Sequence, residues 1–216
     1  MNLVFPRLYA IIEPALLTIS ELALADALAE SGVELIQYRN KTASSRQIFD
    51  ISLQLSKLLG SRGVRFIVND RPDIALLAGA GGVHVGQEDL SVDVARTICG
   101  PDRWVGVSTH SLEQVAAADR TSADYIAFGP IFPTATKQNP DAVVGTELLR
   151  QARKITAKPI VAIGGITLER ASEVYRAGAD SLAVIRDLIC AANPRERAHE
   201  FLAVAASFAA RHEGAG

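Results

Sequence analysis

Residues 65–85 read RFIVNDRPDIALLAGAGGVHV and contain two short β-branched runs, at 65–68 and 82–85, on either side of a helical stretch. Neither run alternates cleanly between apolar and polar residues, which is typical of strands that are buried on both faces. A strand, a helix and a second strand in this order predict a βα unit of a parallel sheet.

The same unit recurs along the whole chain. Strand candidates lie at 8–12, 34–38, 65–68, 82–85, 105–107, 125–128, 159–163 and 181–185. Eight units in 216 residues leave about 27 residues for each, enough for one strand, one helix and two short loops. We therefore predict an α/β fold in which residues 1–216 form a single (β/α)8 TIM barrel. An open doubly wound sheet is disfavoured, because Glu13-Pro14-Ala15 follows the first strand where a glycine-rich fingerprint is expected.

Composition excludes several classes of protein. With 49% hydrophobic residues and a net charge of −2, the chain is neither disordered nor basic, so we expect no nucleic-acid partner and no membrane partner. Cys99 and Cys190 form no metal-binding or disulfide pattern. The first twelve residues do not resemble a signal peptide, and we expect a cytoplasmic protein. The sequence leaves the oligomeric state open, a homodimer included.

Local motifs predict where helices begin and where one long loop lies. Thr18 with Glu21, Ser44 with Gln47, and Ser111 with Gln114 have the spacing of capping boxes, and Asn193 precedes a helix-compatible proline. Residues 129–144, GPIFPTATKQNPDAVV, contain three prolines and no helical periodicity. A loop of this length in a compact barrel is typical of a functional segment.

Polar residues gather where the predicted strands end, which is where barrel enzymes build their active sites. The candidate site residues there, which include a few small or apolar ones, are Gln37, Tyr38, Arg39, Asn40 and Lys41 after strand 2, Asn69 and Asp70 after strand 3, Asp89 after strand 4, Ser108 after strand 5, Thr134, Ala135, Thr136 and Lys137 in the long loop, Gly165 after strand 7, and Ile185 and Arg186 after strand 8.

Three of these residues suggest an anion site. Gln37, Arg39 and Lys41 are two residues apart, so they share one strand face, and the two cations suit a multiply charged phosphate. The alternative is a solvated strand end that is paired to nearby acids. Gly164-Gly165 follows strand 7, where barrels commonly hold phosphate on backbone N–H groups, although a tight turn would require the same residues.

Two carboxylates suggest a metal site. Asp70 and Asp89 follow adjacent strands, and a divalent ion such as Mg²⁺ would relieve their repulsion. Asp70 also fits a helix N-cap, whereas Ser91 is better placed than Asp89 to cap the next helix. Ser108 is not needed as a cap, so its hydroxyl is available to the site. His84, inside strand 4, is more typical of a buried structural histidine than of a catalyst.

Six motifs together resemble the thiamine phosphate synthase family. They are QYRNK at 37–41, FIVND at 66–70, GVHVGQEDL at 82–90, STH at 108–110, GPIFPTATK at 129–137 and AIGGI at 162–166, and the resemblance covers roughly residues 8–190. It implies a (β/α)8 barrel that joins a hydroxymethylpyrimidine diphosphate to a thiazole phosphate with Mg²⁺. It also implies that pyrophosphate leaves first and that the thiazole nitrogen captures the pyrimidinylmethyl cation.

The resemblance further implies roles for individual residues. Gln37, Arg39, Lys41, Asn69, Ser108 and Lys137 would hold the diphosphate, with Arg39, Lys41, Ser108 and Lys137 as catalytic residues and with Tyr38 and Asn40 in the substrate-binding set. Asp70 and Asp89 would bind Mg²⁺, and Thr134, Ala135, Thr136, Gly165, Ile185 and Arg186 would hold the thiazole phosphate. Arg186 departs from the family, which commonly has Ser there. Arg186 either adds a contact to the phosphate or pairs with Asp187.

Three other functions compete with this one. A thiazole tautomerase-like isomerase would share the barrel but would not need the full set of diphosphate and metal residues. A non-catalytic thiamine-precursor binding protein could use the same pocket. A Schiff-base aldolase is disfavoured, because no predicted strand interior carries a lysine.

Overall fold

Eight parallel strands close into a barrel in which each strand pairs with its neighbours in sequence and the first pairs with the eighth. The structure is a computed structural model, and it describes residues 5–134 and 142–209. The predicted (β/α)8 TIM barrel is confirmed.

All eight predicted strands are present. They are β1 Leu8–Ile12, β2 Leu35–Tyr38, β3 Arg65–Asn69, β4 Gly82–Val85, β5 Trp104–Thr109, β6 Tyr125–Phe128, β7 Ile160–Ala162 and β8 Ser181–Val184. The largest difference from the prediction is in β5, which continues to Thr109 and therefore includes Ser108. Because Ser108 belongs to the strand, its side-chain direction is set by the barrel.

Helices follow the strands around the outside of the barrel. They are α1 Glu21–Glu30, α2 Ser45–Ser61, α3 Pro72–Leu77, α4 Val92–Cys99, α5 Leu112–Asp119, α6 Gly145–Ile155, α7 Leu168–Arg176, α8 Arg186–Ile189 and α9 Pro194–Ala209. Over the described parts of the chain, no helix is both long enough and apolar enough to cross a membrane.

The helices that follow Ser44, Ser111 and Asn193 begin where their sequence motifs predicted. Ser44 and Gln47 form a reciprocal capping box at α2, and the hydroxyl of Ser111 accepts a bond from the backbone of α5. The box expected at Thr18 is wrong. The chain leaves β1 through a short 3-10 turn at Pro14–Leu16, so α1 begins only at Glu21, where Ser20 is the N-cap.

The barrel contains a second core, separate from the one between strands and helices. Side chains alternate between the two faces of each strand, and those that point inward fill the barrel. This inner core is formed by Phe5, Tyr9, Ile11, Leu35, Ile67, Trp104, Tyr125, Ala127, Val161 and Ala183. Phe5 stacks on Trp104 with ring centroids 5.1 Å apart. These aromatic rings fill the amino-terminal part of the interior and leave the polar residues nearer the carboxyl end.

The long loop is described in part. Its residues 129–134 and 142–144 contain no helix or strand, as expected, and the backbone N–H of Val144 donates to the carbonyl of Pro130 at 2.9 Å. Residues 135–141, which include Ala135, Thr136 and Lys137, lie outside the described residues.

Gly106 in β5 has no side chain, and the ring of Tyr125 occupies the space that a side chain would fill. A Cβ at position 106 would lie 2.0 Å from Cζ of Tyr125, and this ring is fully buried. We expect Gly106→Ala to lower the free energy of unfolding by about 3 kcal/mol, measured by urea denaturation at pH 7.

Gly60→Ala is the matched control for this substitution. Gly60 lies in α2, and a Cβ added to it would meet no other atom within 4 Å outside the local backbone. Alanine is favoured over glycine in helices, so this variant should gain up to about 1 kcal/mol. Equal effects of the two variants would contradict the close packing of Tyr125 on β5.

Candidate functional site

A cavity of about 310 Å³ opens at the carboxyl end of the barrel. Residues from or next to the ends of all eight strands line it. They are Tyr9 and Ile11, Gln37, Arg39 and Lys41, Asn69 and Asp70, His84, Gly86, Gln87, Glu88 and Asp89, Ser108 and His110, Ala127, Pro130 and Thr134, Ile163 and Gly164, and Ala183 and Ile185. The cavity therefore lies where the polar strand ends predicted a site.

The structure brings most, but not all, of the predicted site residues to this cavity. Those that line it are Gln37, Arg39, Lys41, Asn69, Asp70, Asp89, Ser108, Thr134 and Ile185. Tyr38, Asn40, Gly165 and Arg186 are not among the lining residues. Because Ala135, Thr136 and Lys137 lie outside the described residues, their roles stay predictions.

Side chains alternate along β2, so Gln37 and Tyr38 point to opposite faces of the strand. Gln37 points into the barrel, where its Nε2 donates to the hydroxyl of Tyr9 at 2.6 Å. Tyr38 points outward into the core beneath the helices, and Asn40 donates to its hydroxyl at 3.2 Å. The Oδ1 of Asn40 also accepts from the backbone of Ala43 at 3.0 Å. Tyr38 and Asn40 therefore shape the loop after β2 from outside the cavity.

Each cation that follows β2 is held by a carboxylate from a neighbouring strand end. Arg39 forms an ion pair with Glu13, which is only 7% exposed, and Lys41 forms one with Asp70. The cations line the cavity and are paired to acids, as the second alternative left open by the sequence predicted, and anion binding by them stays a prediction. Glu13 was not singled out by sequence reasoning, because it reads only as the start of a turn.

Asp70 and Asp89 meet at the rim of the cavity, as their places after adjacent strands predicted. Burial and a hydrogen bond with Asp89 raise the pKa of Asp70, against the opposing effect of Lys41. Asp89 also accepts a bond from the backbone N–H of Gly86 at 2.8 Å. The alternative that Asp70 caps α3 is wrong, since Arg71 occupies the N-cap position and no side chain caps this helix.

The two carboxylates fit the requirements of Mg²⁺. This ion commonly binds one or two carboxylates and completes its shell with water and substrate phosphate. The described residues contain no group of three or more His, Cys, Asp or Glu side chains arranged to hold a metal. The two carboxylates alone do not suit a structural zinc site, and Mg²⁺ binding by Asp70 and Asp89 stays a prediction.

A hydrogen-bonded series of five side chains crosses the barrel beneath the rim, and we call it the barrel network. Gln37 donates to Tyr9, the hydroxyls of Tyr9 and Tyr125 lie 2.9 Å apart, and that of Tyr125 lies 3.1 Å from Nδ1 of His84. Nε2 of His84 lies 2.8 Å from Oγ of Ser108. Sequence reasoning missed Tyr9 and Tyr125, whose separation along the chain gives no local signal.

The barrel network is neutral around neutral pH. Burial lowers the pKa of His84 to about 4, and burial raises the pKa of Tyr9 and that of Tyr125. His84 is thus a buried histidine with two partners, as its place in β4 suggested. It also lines the cavity, so its structural role and its proximity to a ligand are not exclusive.

The glycines after β7 are required by packing. Gly164 and Gly165 have φ values of 88° and 63°, and a Cβ on Gly164 would lie 2.4 Å from Cβ of Pro130. The loop after β6 packs on them, with the N–H of Phe132 donating to the carbonyl of Gly164 at 3.1 Å. The tight-turn interpretation is therefore sufficient for both glycines, and phosphate binding by Gly165 stays a prediction.

Arg186 is exposed at the start of α8. Asp187, the alternative partner, accepts from the backbone N–H of Leu168 at 3.0 Å and faces Arg197 at 3.9 Å. The alternative in which Arg186 pairs with Asp187 is therefore not the arrangement that the structure shows, and a contact of Arg186 with phosphate stays a prediction.

The chain is similar to known proteins over most of its length. A family model described as thiamine monophosphate synthase matches residues 8–188. The thiamine-phosphate synthase of Koribacter versatilis is 50% identical over 210 residues, which cover 94% of this chain and 97% of that protein. That of Chloroflexus aurantiacus is 45% identical over 172 residues, covering 80% and 79%.

Solved structures agree with the sequence relatives. Thiamine phosphate pyrophosphorylase from Pyrococcus furiosus superimposes with a TM-score of 0.85 at 34% identity and covers 94% of this chain and 96% of its own. A 3-hexulose-6-phosphate synthase, with a TM-score of 0.66 at 21% identity over 92% and 99% of the two chains, shares the fold.

The carboxylate pair at the rim makes the stability of the protein depend on pH. Asp70 has a pKa raised mainly by burial, so it binds its proton more tightly in the folded protein than in the unfolded chain. Its contribution to stability therefore falls as pH rises through the acidic range. Asparagine carries no such charge and tolerates the φ of 63° at this position. We expect the stability of Asp70→Asn relative to the wild type to increase from about pH 4 to pH 7.

Urea denaturation of both proteins at several pH values in this range measures the difference. Asp73→Asn is the control with the opposite sign, because Arg71 lowers the pKa of Asp73. A stability difference between Asp70→Asn and wild type that does not change with pH would contradict the burial of a charged Asp70.

Proposed function

The chain belongs to the thiamine monophosphate synthase family, whose members are transferases, and from that premise we propose the reaction that its cavity performs. The chain condenses 4-amino-2-methyl-5-(diphosphooxymethyl)pyrimidine with a thiazole phosphate, in its plain or carboxylated form, to give thiamine phosphate and pyrophosphate. The observation that carries the proposal is the meeting of Arg39, Lys41, Asp70 and Asp89 around the opening of one cavity. This arrangement suits a diphosphate that binds together with a divalent cation.

Arg39 and Lys41 are suited to stabilise the diphosphate as it leaves. A cation 4 Å from a phosphate charge contributes about 4 kcal/mol at an effective dielectric constant of 20, before the cost of desolvation. Arg39 offers a planar fork to the phosphate oxygens, whereas Lys41 is a compact charge. By resemblance, Lys137 supplies a third cation from the long loop. Only the part of this attraction that grows as the C–O bond breaks accelerates the reaction.

Asp70 and Asp89 would hold Mg²⁺, which when bound supplies positive charge to the diphosphate oxygens. Lys41 forms an ion pair with Asp70 in the structure, so this lysine and the metal would compete for one carboxylate. A diphosphate relieves the competition, because it offers oxygens to both cations. The carboxylates thus balance the charge of the site both with and without ligands.

Bond formation requires no general base from the protein. The C–O bond breaks with its electron pair going to pyrophosphate, and the lone pair of the thiazole nitrogen forms the new C–N bond. His84 is neutral and has its two ring nitrogens at Tyr125 and Ser108, so it is not placed to remove a proton from a substrate. The tasks of the protein are to hold the two substrates in line and to balance the leaving charge.

Incubation with both phosphorylated precursors and Mg²⁺ tests the proposal directly. Thiamine phosphate should form in proportion to enzyme, detected as its fluorescent oxidation product, and pyrophosphate should appear in equal amount. A rise in Tm with either precursor and no product would identify a binding protein. Conversion of the thiazole phosphate alone, without the pyrimidine, would identify an isomerase.

Arg39→Ala tests the diphosphate site. We expect kcat/KM for the pyrimidine diphosphate to fall by about a hundredfold, which corresponds to about 3 kcal/mol for a charged hydrogen-bonding partner. Arg46→Ala is the control, because Arg46 is 89% exposed and pairs only loosely with Asp50, at 3.6 Å. It should keep kcat/KM within about twofold of the wild type. A loss of stability without a loss in kcat/KM for Arg39→Ala would assign this arginine to the Glu13 ion pair alone.

A further inference from the structure

In the barrel network, each hydrogen bond has one donor and one acceptor. Counting the donors and acceptors shows which group donates in each pair, and we call this order the direction of the network. Nε2 of Gln37 donates to the hydroxyl of Tyr9, so this hydroxyl accepts there and must place its own hydrogen elsewhere. Within the described residues, the other partner of the Tyr9 hydroxyl is Tyr125. Tyr9 therefore donates to Tyr125. The hydroxyl of Tyr125 in turn has His84 as its remaining partner and donates to Nδ1.

The ring of His84 links Tyr125 to Ser108 at the rim, because the role of one ring nitrogen determines the role of the other. His84 is 7% exposed and both of its nitrogens face uncharged hydroxyl groups, so burial favours the neutral ring. A neutral imidazole carries one hydrogen, so an accepting Nδ1 places that hydrogen on Nε2. Nε2 then donates to Oγ of Ser108.

The opposite direction leaves a buried hydrogen without an acceptor. If Ser108 donated to Nε2, then Nδ1 would donate to Tyr125 and Tyr125 to Tyr9. With the amide of Gln37 oriented as the structure places it, the hydroxyl hydrogen of Tyr9 would then face the N–H of Gln37, and Tyr9 is only 1% exposed. An unsatisfied buried donor is costly, so the first direction is favoured.

Packing holds the rings of the network in place. The ring of Tyr125 lies against Gly106, stacks on His84 with centroids 5.5 Å apart, and meets Tyr9 edge-on at 5.9 Å. Packing therefore fixes the positions of the hydroxyls and of both His84 nitrogens before any ligand binds, and the donation from Gln37 then sets the direction of the hydrogen bonds.

We propose that Tyr9 and Tyr125 are positioning residues that hold His84 in its Nε2–H form and so leave the Ser108 hydroxyl hydrogen to be donated into the cavity. Ser108 lines the cavity, and its Oγ already accepts from His84. It therefore meets a ligand as a hydrogen-bond donor, which suits an anionic oxygen. That the oxygen belongs to the diphosphate rests on the proposed function, whereas the direction of the network does not.

The histidine tautomer is measured on the wild-type protein without substrates. The sequence has 4 histidines, so a ¹⁵N–¹H spectrum of the imidazole groups is simple, and the signals lost in His84→Gln assign His84. We expect Nδ1 to show the shift of a nitrogen without hydrogen and Nε2 that of a nitrogen with one. An Nδ1–H tautomer, or a charged ring at pH 7, would overturn the proposal.

A double-mutant cycle tests whether Tyr125 acts through Ser108. Tyr125→Phe keeps the ring and removes the hydroxyl, and it should lower kcat/KM by about tenfold in the wild type but by less than about twofold when combined with Ser108→Ala. Equal losses in both backgrounds would show that Tyr125 does not act through Ser108.

Tyr175→Phe is the matched control for the cycle. Tyr175 is also buried, but its hydroxyl donates to the carbonyl of Arg7 at 2.8 Å and takes no part in the barrel network. It should leave kcat/KM and the His84 signals unchanged. If the wild-type protein made no thiamine phosphate, the proposed function would fail, and the tautomer of His84 would still decide whether the network has the direction proposed.

Discussion

Closure of eight parallel strands fixes how much room exists inside the barrel, and every inward side chain must fit that space. Along a strand, alternate residues point inward, so a shift of one residue would exchange the two faces. Gly106 and Tyr125 show how tightly the space is shared, because the absence of a side chain on β5 is what admits the ring from β6. The cavity is the part of this interior that the aromatic side chains do not fill.

The same closure dictates how charge is managed. Closure brings charged residues at neighbouring strand ends together whether or not they attract. In the structure, cations that follow one strand form ion pairs with acids that follow a neighbouring strand. Arg39 reaches Glu13 beside β1, and Lys41 reaches Asp70 beyond β3. A net charge of −2 for the whole chain is therefore compatible with several cations at one rim, because acids from neighbouring strand ends balance them locally.

The fold was predictable because its signal repeats. Eight short apolar runs at similar spacing give one barrel, and polar strand ends predict the open face. Contacts between distant strands were not predictable in the same way. Tyr9 and Tyr125 are 116 residues apart, and their hydroxyls meet only because closure places both inside. Glu13 was missed for a related reason, since nothing near it in sequence indicates Arg39 as its partner.

Polarity changes with depth along the barrel axis. The floor consists of aromatic rings and a neutral network whose groups bond to one another, whereas the ionised groups stand at the rim. Burial enforces this order, because a charge on His84 would be costly where its ring lies, while Lys41 is half exposed. This order of polarity favours a ligand whose uncharged ring lies toward the floor and whose charged groups lie toward the rim. Ser108 lies where the two zones meet, and this is why the direction of its hydrogen bond matters.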